Sequence, residues 1–274
     1  MSRSKSAVLT VCAVLVLVLT YIPFLFVLSN SLKSSLQFVM NPFGLFTSFD
    51  WSNYVQAWGG MDRYLLNTVI VALLSVLLGI PAAAAGAYGF VQSEFRFKQA
   101  IFYMYLGLLM VPGILTIIPL FLETKSFGLF DTMWALILPY AAGNQSFLIF
   151  LFRTFFEGIP DELFESSRID GCTEFGILWR IVVPLSIPVM LTGTVLMFIE
   201  IWGDYLWPSI VLPNYHLLTV SAGLQLFLGS FGASGLGAGA GFAAYVIVMI
   251  PMMVLVAGAM KWFVNGITGG ALKG

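Results

Sequence analysis

Glu200 and Asp204 lie one helical turn apart inside an apolar run over 181–212, so a helix there carries both carboxylates on one face. Acids in hydrocarbon are costly and usually face a cavity or a polar partner. The segment Glu200-Ile201-Trp202-Gly203-Asp204-Tyr205-Leu206-Trp207-Pro208 also mixes acids with rings. Carboxylates accept hydrogen bonds from hydroxyls, and flat rings cover apolar ring faces. Glu200, Asp204, Trp202, Tyr205 and Trp207 are therefore a suitable lining for a sugar. An interhelical hydrogen bond that only locks packing accounts for the acids equally well, and a third reading makes them proton or cation sites of an ion-coupled carrier. Asn144 and Gln145, amides near the middle of a second apolar run, could bond either a neighbouring helix or a solute.

A second concentration of chemistry lies in residues 158–184, where Asp161, Glu162, Glu165, Arg168, Asp170, Glu174 and Arg180 gather between two apolar runs. Pro160 suits a first helical turn, and Asp161 and Glu162 favour its positive end. Leu163 and Phe164 supply an apolar side, and Gly171 can end the helix in a left-handed conformation. Thr173 can cap a second helix that re-enters the apolar run. The short helix has more acids than bases and a small apolar side, which suits a protein groove better than an anionic lipid surface.

Catalytic chemistry is not found elsewhere. The Gly-rich stretch 229–241 lacks the Gly-Lys-Ser/Thr ending of a phosphate loop and reads as a flexible connection. His216 has no Cys, Asp or Glu at ligand spacing. The chain is thus expected to hold no metal, no cofactor and no catalytic residue, and to be no enzyme. Any ATP-driven work would have to be done by another polypeptide.

The elements that position these groups follow from composition. The 274 residues are 59% hydrophobic and 9% charged, with mean hydropathy +0.97, against about 25% charged in soluble domains. A spanning helix needs about 20 apolar residues. Six such spans are predicted, 7–30, 65–91, 100–122, 132–156, 181–212 and 242–264, in one all-α membrane domain. The fifth is long enough to be tilted, or broken near Pro208. The first is too long for the apolar core of a signal peptide and is expected to be a retained span. Lys and Arg accumulate on the cytoplasmic side. With the N-terminus inside, Arg3, Lys5, Arg96, Lys98, Arg153, Arg168, Arg180, Lys261 and Lys273 are cytoplasmic, against Lys33, Arg63 and Lys125 outside. Both termini and the 158–184 loop are therefore expected in the cytoplasm. Cys12 and Cys172 suggest no disulfide. The bilayer is an expected partner and nucleic acid is not.

With the spans in place, the loop resembles the EAA loop of the inner-membrane permeases of bacterial ABC importers. Glu165-Ser166-Ser167, then Gly171 after three residues, Ile181 after nine more, and Val183-Pro184 follow the pattern E-A-A, three residues, G, nine residues, I-x-L-P. The departures are Ser166, Ser167 and Val183. Met110-Val111-Pro112-Gly113, Gly128-Leu129-Phe130-Asp131-Thr132, Ile169-Asp170-Gly171, Asp204-Tyr205-Leu206-Trp207-Pro208 and the tail Gly266 to Gly274 are similar to the second, six-helix permease of the carbohydrate (maltose-type) branch.

The resemblance implies a type I importer permease fold in the inner membrane of a prokaryote. It also implies a second permease subunit, a dimer of ATP-binding subunits that carries the ATP and magnesium, an external solute-binding protein or lipoprotein, and a sugar substrate. By the same resemblance Phe164, Glu165, Ser166, Ser167, Arg168, Asp170 and Gly171 form an ATPase-coupling helix. The Gly-rich tail, 265–274, reaches toward the ATPase dimer.

Overall fold

A computed structural model describes residues 3–45, 49–230 and 237–271, with side chains described over 9–45, 49–230 and 237–260. Every regular element among them is helical. Arg3, Lys5, Lys261, Lys273 and the side chains of the Gly-rich tail fall outside the described side chains. The backbone of 265–271 continues the last helix.

Three helices are long and apolar enough to cross a membrane unaided: α1 (Arg3–Ser31) from Leu9, α3 (Ser52–Gln92) and α14 (Ala238–Ala271) up to Met260. The short α2 (Ser35–Met40) lies between the first two and is closed by a Ser34/Gln37 capping box. Three more spans are bent pairs. α4 (Lys98–Leu108) and the segment Gly113–Ser126, which contains α5 (Ile117–Ser126), meet at 96°. α6 (Trp134–Gly143) and α7 (Gln145–Phe156) meet at 41°. The segment Glu174–Leu185, which opens with α9 (Glu174–Ile177) and closes with α10 (Val183–Leu185), meets α11 (Ile187–Gly203) at 80°. Six spans result when each pair counts as one.

The helix limits differ from the expected spans in several places. The span expected over 100–122 is bent, with Pro112 extended (φ −61°, ψ 125°) between its halves. The run 181–212 breaks at Ser186, between Pro184 and Pro188, and again at Asp204 (φ −75°, ψ 119°), four residues before Pro208. Beyond Asp204 lies a separate helix, α12 (Leu206–Val211). α3 begins at Ser52 rather than near 65, and its 41 residues reach about 60 Å, well beyond a hydrocarbon layer of about 30 Å. Within the expected loop 213–241 lies another helix, α13 (Val220–Ser230). Of the Gly-rich stretch 229–241, residues 231–236 fall outside the described residues, and the part from Ala238 is helical.

The chain forms two compact units, one of Met1–Leu65 with Gly223–Pro251 and the other of Leu66–Ala222 with Met252–Gly274. In the first, Lys33 is buried, and its Nζ donates to Asn30 Oδ1 (2.9 Å) and to the carbonyls of Asn41 and Pro42 (both 3.0 Å). Burial lowers the affinity of this amine for its proton. Asn53 Nδ2 donates to the carbonyls of Ser31 (3.0 Å) and Lys33 (2.9 Å), and a Cβ at Gly239 would collide with that amide.

In the second unit α7 packs on α11, where a Cβ at Gly193 would come within 2.8 Å of Leu148 and 3.1 Å of Phe152. Glycine at this position leaves room for those two side chains, which a larger residue would force to shift. Arg153 of α7 lies over the Phe102 ring of α4 at 3.8 Å. This unit carries both the Glu200/Asp204 segment and the 158–184 loop.

Candidate functional site

All three bent spans contribute to one cavity of about 660 Å³. Its walls include Leu109 and Val111 from the break of the first pair, Gly143 and Ser146 from either side of the break of the second, and Glu200, Asp204 and Trp207 from the turn where α11 gives way to α12. Irregular backbone at membrane depth persists only where protein or a cavity satisfies its polar groups. The cavity explains why the first two breaks and the turn at Asp204 are tolerated, whereas the bend at Ser186 lies outside its walls.

Asp204 ends α11 and starts α12. Its Oδ1 accepts from the amides of Leu206 (2.9 Å) and Trp207 (3.3 Å), and its Oδ2 accepts from the Tyr140 hydroxyl (2.8 Å). Glu200, one turn earlier on α11, is exposed to the cavity, and the Asn144 amide is within its hydrogen-bonding reach. Asn144 also donates to the Tyr140 carbonyl (3.0 Å). Among the described residues no Lys, Arg or His lines the cavity. Its polar wall therefore offers carboxylate acceptors with an adjoining amide and a phenol, a set suited to hydroxyl groups and unfavourable to an anion.

Other residues from the same expected set are placed differently. Trp207 lines the cavity, but its Nε1 donates to the Ala135 carbonyl (3.0 Å). Trp202 is buried against Phe198 in a stack with centroids 5.4 Å apart, and its carbonyl accepts from Ser221. Tyr205 is exposed and is not among the cavity walls. Gln145 donates to the carbonyls of Gly79 (3.1 Å) and Ala141 (2.7 Å), so its amide ties α7 to α3. Sequence reasoning missed Tyr140, although its place one turn before Asn144 in an apolar run was a usable signal.

In the 158–184 loop, α8 (Asp161–Ile169) carries both acids of its first turn, Asp161 and Glu162, and Arg168 in its last. Gly171 takes φ +81° just beyond it, and the Thr173 side chain accepts from the Gly176 amide (3.2 Å) to cap α9. Phe164 and Ser167 are buried on the inner side of α8, whereas Glu165, Ser166, Asp170 and Ile169 face outward. Arg168 is held by Glu174, which raises its affinity for the proton further. Cys172 is a free thiol, as is Cys12. Among the described residues no group of His, Cys, Asp and Glu is arranged to hold a metal.

Comparison with known proteins bears on this arrangement. The family described as binding-protein-dependent transport system inner membrane component matches residues 75–269. The probable ABC transporter permease protein YurM of Bacillus subtilis is 34% identical over 92% of this chain and 83% of that protein. The diacetylchitobiose uptake system permease protein NgcG of Streptomyces coelicolor is 30% identical over 87% of this chain and 79% of its own. A crystal structure of a bacterial ABC transporter involved in import of the acidic polysaccharide alginate superposes with a TM-score of 0.81. That match covers 96% of this chain and 99% of the other at 24% identity, a likeness of fold. With broken spans around a polar cavity and a match across most of its length, this chain belongs to the binding-protein-dependent transport system inner membrane components, the membrane permeases of ABC importers.

Proposed function

We propose that this permease carries an uncharged sugar or oligosaccharide across the inner membrane of a prokaryote, by alternating access driven by ATP hydrolysis on partner subunits. The observation that carries the substrate class is the cavity at the first two span breaks and the Asp204 turn, walled by Glu200 and Asp204 with no base among its described lining residues. A saccharide presents many hydroxyl donors to such acceptors, whereas a phosphate or carboxylate would face uncompensated repulsion. Similar permeases named for diacetylchitobiose and for arabinooligosaccharides support the same class.

In this reading the 158–184 loop is cytoplasmic, and α8 seats in an ATP-binding subunit through its outward Glu165, Ser166 and Asp170 with Gly171, while Phe164 and Ser167 hold it to the permease. Ile169, 86% exposed, is an apolar side chain available to such a seat. A second permease completes the pathway, and an external binding protein delivers the sugar. Closure of the ATPase dimer moves the loop, and the bent spans follow as rigid pieces.

The test is uptake by proteoliposomes containing the complete complex. ATP-dependent accumulation of a neutral oligosaccharide, unaffected by a protonophore, is expected. Accumulation that needs no ATP and collapses with the proton gradient would make Glu200 and Asp204 ion sites and overturn the proposal.

A further inference from the structure

Four side chains outside the cavity converge where α8, α9 and the end of α3 meet. Arg168 donates through Nε to Glu174 Oε1 (2.8 Å) and through Nη2 to Glu174 Oε2 (3.3 Å), a two-pronged contact. The same Nη2 donates to Gln92 Oε1 (2.9 Å). Tyr88 donates its hydroxyl to Glu174 Oε2 (2.5 Å), and its ring lies 6.4 Å from that of Phe164. Arg168 and Phe164 belong to α8, Glu174 to the first turn of α9, and Tyr88 and Gln92 to the last turn and a half of α3.

The exposed Arg168–Glu174 pair alone would contribute little, because water screens it. Two features make the cluster more than a surface pair. Tyr88 and Phe164 are buried, at 7% and 1% exposure, so one end of the network is anchored in packing. The network also joins two segments 76 to 86 residues apart in sequence, so no local turn constrains them to stay together. A displacement of α8 must either break these bonds or drag the end of α3 with it.

We infer that Arg168, Glu174, Tyr88 and Gln92 form a clamp that transmits movement of α8 to the long membrane helix α3. These are positioning residues that touch neither sugar nor nucleotide. The inference rests on the proposed function, in which α8 receives force from an ATP-binding subunit, and it adds α3 to the parts that this force must move. Without the clamp, α8 would ride with the ATPase while α3 lagged behind, so hydrolysis would continue with less sugar moved.

The complete complex in proteoliposomes tests this, read as sugar transported per ATP hydrolysed. Tyr88→Phe and Gln92→Ala are the informative variants because they change α3 and leave α8 itself intact, and Tyr88→Phe keeps the ring on Phe164. Each is expected to lower the ratio about fivefold, with ATP hydrolysis and subunit stoichiometry maintained. Arg168→Glu and Glu174→Arg, each uncoupling alone, are expected to regain part of the ratio when combined. An unchanged ratio in Tyr88→Phe with Gln92→Ala would overturn the clamp and leave the transport reading intact. Parallel loss of uptake and hydrolysis would overturn it too, since failed docking or folding gives that pattern. Absence of ATP-driven uptake by the unmodified complex would instead count against the proposed function itself.

Discussion

Asp204 shows how far residue spacing can be trusted. The i, i+4 spacing with Glu200 put both acids on one wall, and both do line the cavity. Yet the helix they were expected to share ends at Gly203, and Asp204 is the turning point into α12. Its two oxygens are occupied by two amides and by the hydroxyl of Tyr140, which is only 7% exposed. Asp204→Ala removes a helix cap, about 1 kcal/mol, and orphans a buried hydroxyl, about 1–3 kcal/mol more. It is therefore expected to lower the thermal midpoint of the detergent-solubilised complex, while Asp204→Asn, which keeps one carbonyl oxygen for the cap, lowers it less. Glu200, exposed in the cavity and holding up no helix end, behaves oppositely. Glu200→Gln is expected to leave the midpoint unchanged and to reduce sugar uptake. A midpoint shift in Glu200→Gln as large as that in Asp204→Ala would contradict this division of labour. The Gly171 turn and the Thr173 cap were both legible beforehand, because each is a local backbone demand met by its own residue type. The Tyr88–Glu174 contact was not, since sequence patterns carry no information on a pairing 86 residues apart.

At the scale of elements, hydropathy identified six apolar runs and placed a break only in the fifth, near Pro208. Each half of a bent pair is apolar, and an average over about 19 residues passes through the break unnoticed. Proline does not decide the matter. α3, α1 and α14 run on through Pro81, Pro23 and Pro251, whereas the run 181–212 gives way beside Pro184 and Pro188. Breaks survive where freed backbone groups find partners or a cavity, which depends on helices distant in sequence. The contact of α7 with α11 sets two of these broken spans against each other at Gly193. Gly193→Val would press a branched side chain into Leu148 and Phe152, at about 1–3 kcal/mol. A clear drop in thermal midpoint and in yield of assembled complex is expected, whereas Gly258→Ala, where a new Cβ meets nothing within 4 Å, should match the unmodified protein. Equal behaviour of the two variants would mean that the α7 to α11 approach is not limited by that glycine.

For the whole molecule, the reading that depends least on side-chain geometry is which face points inward. That expectation rests on nine Lys and Arg residues in one set of loops and termini against Lys33, Arg63 and Lys125 in the other, and insertion responds to those charges before any tertiary contact forms. An even number of spans, with each bent pair crossing once, is needed for the 158–184 loop to share a side with the N-terminus. A re-entrant pair, dipping in and returning to its own side, would move every later loop to the opposite face. Chemical labelling separates these cases. In a background of Cys12→Ser and Cys172→Ser, Tyr215→Cys and Asp161→Cys place single thiols at exposed positions on either side of the third bent span. A membrane-impermeant maleimide is expected to modify Tyr215→Cys in intact spheroplasts. Asp161→Cys is expected to react only in inverted vesicles stripped of the ATP-binding subunits. Labelling of both from one side would show that the segment from Glu174 to Gly203 does not cross the membrane. Labelling with the two sides exchanged would reverse the chain and detach α8 from any cytoplasmic ATPase, so the same experiment decides whether the loop can receive force at all.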